Sequence, residues 1–80
     1  MSGAVVTPGM IRALLKIARA EKMRRGEDLS PDEIVAGARR VMPDSYTRVV
    51  RAGLANPNVG GEGMSLTDAG RVVLAQWRAS

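Results

Sequence analysis

The stretch GLANPNVGGEGMSLTDAGRVVL, residues 53–74, decides how this chain folds. Gly53, Gly60, Gly61 and Gly63, together with Pro57, interrupt a sequence that otherwise reads as helices. A floppy linker would show no further order, whereas a tight β-hairpin needs glycine at its tip, where positive φ carries little steric cost. The order is there. Leu54 and Val59 suit an outgoing strand, Gly60-Gly61-Glu62-Gly63 the tip, and Met64-Ser65-Leu66 a return strand in which Met64 and Leu66 alternate with Ser65. Pro57 cannot donate a ladder hydrogen bond, so the outgoing strand is expected to be an edge piece or broken. Thr67 then caps a last helix with Asp68 in its first turn and Val72, Val73 and Trp77 on its apolar face. Leu29 is placed to add a third, very short strand beside Leu66.

Working towards the N-terminus, the start signals are clear. Thr7-Pro8 opens a helix expected to run from about Pro8 to Arg25, since threonine caps free N–H groups and proline suits the first helical position. Met10, Ile11, Leu14, Leu15 and Ala18 make its buried stripe, and Gly26 ends it. Ser30-Pro31-Asp32-Glu33 is a capping box with acids at the positive helix end. The second helix is expected to reach about Val41, burying Ile34, Val35, Ala38 and Val41. Pro43 disfavours helix at Met42 and forces a turn. A third helix, capped by Asp44 or Ser45, is expected to continue to about Ala55, with Val49, Val50 and Leu54 inward, Tyr46 partly buried, and Asp44, Thr47, Arg48 and Arg51 outward.

Eighty residues without cysteine or histidine bound the function. They make one small domain, residues 1–80, with 1–6 flexible, and offer no disulfide, no usual zinc ligands and no implied cofactor. No apolar run approaches the roughly 20 residues of a membrane span, and a cytosolic setting is expected. Catalysis finds no support, because no carboxylate pair faces inward and Gly60-Gly61-Glu62-Gly63 lacks the lysine and hydroxyl of a P-loop. Twelve Lys and Arg against eight Asp and Glu, net +4, favour a polyanionic partner. With Tyr46 and Trp77 the only aromatics, a stacking platform for single strands is not expected.

Helices two and three, joined by a short turn with arginine and small polar groups outward, have the geometry of a helix-turn-helix reader. With the hairpin added, Arg51-Ala52-Gly53-Leu54, a glycine-rich tip and Ser65-Leu66-Thr67-Asp68-Ala69-Gly70-Arg71 resemble the winged helix-turn-helix DNA-binding domains of the multiple-antibiotic-resistance regulator type. In that family a Gly-Leu pair closes the recognition helix and a Leu-Thr-x-x-Gly-Arg segment leads from the wing into the next helix. The resemblance spans roughly residues 10–77. It implies a mostly α fold with a small β-hairpin, a compact winged helix of three-helix core, short wing and C-terminal helix. It also implies duplex DNA as partner, met by Ser45, Thr47, Arg48 and Arg51, with Arg39 and Arg40 near the preceding turn. Arginine can pair bidentately with a guanine edge, and hydroxyls suit phosphates or bases. Family wings carry a basic residue where this one carries Glu62. Homodimerisation, which the family achieves through long extra helices, would need another surface here.

A rival reading starts from Arg12, Lys16, Arg19 and Lys22, a basic stripe on the first helix with a stronger electrostatic signature than the third helix. Such a stripe suits an acidic protein surface, making the chain an interaction module that modulates a host protein.

Overall fold

The computed structural model describes residues 5–57 and 63–80. Within them the order is α1 (Pro8–Arg25), α2 (Pro31–Ala38), α3 (Pro43–Arg51), β1 (Ala55–Asn56), β2 (Ser65–Leu66) and α4 (Asp68–Ala79). No helix among the described residues is long and apolar enough to cross a membrane.

α1 has the expected ends for the expected reasons. Thr7 Oγ1 accepts the Met10 N–H at 3.2 Å. At the other end Gly26 turns left-handed (φ 70°) and the Glu27 N–H closes back on the Lys22 carbonyl at 2.9 Å. The helix is central, contacting α2, α3, α4 and β2. It therefore buries Ala13, Ile17 and Glu21 as well as Met10, Ile11, Leu14, Leu15 and Ala18. Val6, expected in a flexible leader, packs partly against this core.

The second helix departs from expectation. It ends at Ala38, and Ile34, Val35 and Ala38 are exposed while Val41, beyond its end, is half-buried. The face turned inward is Glu33, Ala36 and Gly37, spaced for one side of a helix. A Cβ on Gly37 would meet Arg19 Nε of α1 at 2.6 Å, so the Arg19 side chain lies over α2 where α2 has no side chain of its own.

α3 begins at Pro43 with Met42 as cap, two or three residues before the caps expected, and ends at Arg51 rather than near Ala55. Gly53 takes φ 75°, its N–H bonds the Val50 carbonyl at 3.0 Å, and the Leu54 N–H bonds the Val49 carbonyl at 2.9 Å. These are the paired bonds of a Schellman ending, with Leu54 and Val49 both in the core.

Leu54 thus belongs to the helix ending, and pairing starts one residue later. Ala55 faces Leu66 and Asn56 faces Ser65 in an antiparallel ladder. It stops before Pro57, which has no N–H to give. Val59 and the tip residues Gly60, Gly61 and Glu62 lie outside the described residues. Leu29 forms no strand; it is half-buried in the loop before α2.

Thr67 closes the hairpin onto α4. Its Oγ1 accepts the Gly70 N–H at 3.1 Å and donates to the Gly53 carbonyl at 2.6 Å, while its N–H bonds the Leu54 carbonyl at 3.1 Å. Gly70 is pressed so tightly on Leu54 that a Cβ would lie 2.0 Å from that same carbonyl oxygen. This contact turns Leu74 into the core and leaves Val73 half-buried, whereas Val72 and Trp77, expected inward, are 53% and 42% exposed. Trp77 walls a surface groove instead of facing the core.

Candidate nucleic-acid interface

Which cations are available to a partner depends on which are already neutralised. Two glutamates are buried, Glu21 at 3% exposure and Glu33 at 0%, and a buried carboxylate must be paired. Glu21 accepts the Leu66 N–H at 2.6 Å and Arg71 at 2.7 Å, with Arg25 at 3.7 Å, fastening α1 to β2 and α4. Glu33 accepts the Ser30 N–H at 2.8 Å, Lys22 at 2.9 Å and Arg78 at 3.1 Å, fastening α1, α2 and α4. Burial raises the pKa of each, but the bonds outweigh it: Glu21 is held below its ordinary value and Glu33 at about 2. Both are anionic at neutral pH. Asp32, held low chiefly by its hydrogen bond from Arg78, takes that guanidinium at 2.7 and 3.0 Å.

Lys22, Arg25, Arg71 and Arg78 are therefore committed to acids. Arg24 has no ion pair among the described residues but donates to the Met64 carbonyl at 2.9 Å, tying α1 to the hairpin. Arg12, Lys16, Arg19, Arg39, Arg40, Arg48 and Arg51 have no acidic partner among the described residues.

This sorting bears on both sets of residues expected from the sequence. Thr47, Arg48 and Arg51 are exposed on one face of α3, at the spacing of successive turns, with Asp44 at the same face's N-terminal end. Arg39 and Arg40, exposed just before α3, belong to the same stretch of unpaired charge. Ser45 is different: it is half-buried, and its Oγ would lie 2.9 Å from a Cβ on Gly9, so it serves the α1–α3 contact. Tyr46 is half-buried against the core, and burial raises its phenol pKa.

The α1 stripe is not one continuous free surface. Lys22 is spent on Glu33, and Arg19 lies over Gly37. Arg12 belongs to another feature, an apolar groove of about 610 Å³ whose lining also includes Ile11, Leu15, Val35, Ala36, Arg39 and Trp77. A second cleft, about 220 Å³, contains Glu21, Glu33 and their partners. No buried side-chain nitrogen or oxygen among the described residues lacks a partner there or elsewhere. That cleft is held by internal bonds. The buried pairs escaped the sequence reading because capping explained Glu33 fully and nothing local marked Glu21.

No protein-family model matches this chain, and neither a curated protein nor a solved structure is significantly similar to it.

Proposed function

We propose that this chain is a small, non-enzymatic winged-helix regulator that binds duplex DNA through α3. The observation carrying the proposal is the segregation of charge. Lys22 and Arg25 of α1 and Arg71 and Arg78 of α4 are matched by acids, whereas Arg39, Arg40, Arg48 and Arg51 are unmatched among the described residues and, unlike the unmatched but half-buried Arg12, Lys16 and Arg19 of α1, exposed. Unmatched arginines on an exposed helix can release counterions from phosphates, and Arg48 and Arg51, one turn apart with Thr47 beside them, can approach base edges. The hairpin follows α3 directly through Gly53-Leu54, which supports reading it as a wing.

Fluorescence anisotropy with a labelled duplex tests it. If the four arginines each meet a phosphate, log K against log salt should have a slope of about −3 to −4, and each Arg→Ala change should flatten it by roughly one. Arg25→Ala, which removes a cation already facing Glu21 and Glu27, should leave the slope unchanged. Absence of salt-sensitive binding to any duplex would overturn the proposal.

A further inference from the structure

We propose that the groove between α1, α2 and α4 docks an acidic amphipathic segment of another protein. Its floor is apolar: Ile11 and Leu15 from α1, Val35 and Ala36 from α2, and Trp77 from α4. Val35 and Trp77 remain 53% and 42% exposed along it. The rim decides the partner's charge. Arg12 and Arg39 stand at it with no acidic partner among the described residues, while the one rim acid, Asp32, already holds Arg78 through two hydrogen bonds.

A groove with an apolar floor and an uncompensated positive rim is complementary to a helix that presents apolar anchors at i, i+3 and i+4 and carboxylates beside them. A second copy fits poorly. A two-fold contact through this face would bring Arg12 and Arg39 of both copies into one interface whose one acid, Asp32, already holds Arg78, in chains that each carry net +4. Nucleic acid would satisfy the rim and leave the floor wet. The groove does not depend on the DNA reading: Arg39 stands at the edge of both surfaces, but Arg12, Val35 and Trp77 belong to the groove alone.

Trp77, the sole tryptophan, reports occupancy. The probe is a synthetic tryptophan-free peptide of roughly four helical turns, with leucines along one face and glutamates along the rest. Matched peptides carry glutamine or lysine in place of glutamate. Saturable, blue-shifted Trp77 emission is expected with the acidic peptide, about tenfold weaker binding with glutamine and about a hundredfold weaker with lysine. Arg12→Glu should weaken the acidic peptide about tenfold and Val35→Asp should abolish its binding. Val35→Ala serves as the milder variant if the aspartate disturbs folding by circular dichroism. Arg48→Ala and Arg51→Ala should leave peptide binding unchanged while flattening the DNA salt slope. The proposal is overturned if Trp77 does not respond, if the lysine and glutamate peptides bind alike, or if the α3 variants abolish the response. It is equally overturned if sedimentation shows a dimer that Val35→Asp dissolves, because a second copy would then fill the groove.

Discussion

Gly70 sits inside a helix, where replacing glycine by alanine ordinarily stabilises by roughly 1 kcal/mol. Here the neighbour is backbone. The added Cβ would lie 2.0 Å from the Leu54 oxygen and 3.0 Å from its carbon, and that carbonyl also receives the Thr67 N–H, so it cannot withdraw without opening the hairpin base. Gly70→Ala is expected to cost about 3 kcal/mol or more. Gly37 is also helical and also crowded, but by the Arg19 guanidinium, the far end of a flexible side chain. Gly37→Ala should be near neutral, or stabilising by up to about 1 kcal/mol as Arg19 swings into solvent. Urea denaturation of both variants checks the contrast; equal effects would mean that propensity rather than close approach governs these sites. Neither glycine's purpose is legible in sequence. Gly70 stands out only within a motif, and the carbonyl that excludes a methyl group there comes from the far side of the hairpin.

At the scale of elements, Thr67 joins three. It caps α4 through Gly70, holds the α3 ending through the Gly53 carbonyl, and continues the hairpin through its own N–H to Leu54. Thr67→Ala should cost roughly 1–2 kcal/mol, as loss of a cap does, with Thr67→Ser recovering most of it because the hydroxyl remains. Thermal unfolding of the two variants separates the hydroxyl's contribution from that of the methyl group; a serine variant as weak as alanine would assign the effect to packing. This cap was readable from the sequence, as were the ends of α1 and the box at Ser30 and Glu33, because each is a bond between residues three to five apart. The hairpin was readable for a similar reason, its glycines and Pro57 acting locally. The apolar phases of α2 and α4 were not. In α4 the Leu54 backbone seated on Gly70 turns the element, and in α2 the buried face is that of Glu33 and Ala36, leaving Val72, Ile34 and Val35 outside although their hydropathy argues otherwise. The outward face of α3 was legible except for Ser45, which α1 claims at Gly9. Which arginines stay unmatched was not, since Arg71 reaches Glu21 across 50 residues and Arg78 reaches Asp32 across 46.

Across the whole molecule, the two buried glutamates join what the small apolar core alone would hold loosely. Glu33 draws a residue from α1 and one from α4 onto the start of α2, and its pKa is about 2 against an ordinary 4.5. A carboxylate whose pKa is depressed on folding stabilises the native state fully above its unfolded value and loses that contribution as pH falls towards the folded one. The loss from Glu33 therefore runs from about pH 4.5 down to about pH 2, and Glu21 and Asp32, also lowered, act in the same direction. Glu33→Gln tests this, because an amide can still accept the Ser30 N–H but offers no charge to Lys22 and Arg78. Near neutral pH the variant should be less stable by roughly 3 kcal/mol, the scale for breaking a buried ion pair by removing one partner. The gap between wild type and variant should be constant above about pH 5 and should narrow steadily below it, nearly closing by pH 2, in chemical denaturation repeated along the pH series. A gap that persists undiminished at pH 2 would show that Glu33 acts by shape and not by charge. The separation of matched from unmatched cations, on which the α3 surface depends, would then lose its physical basis.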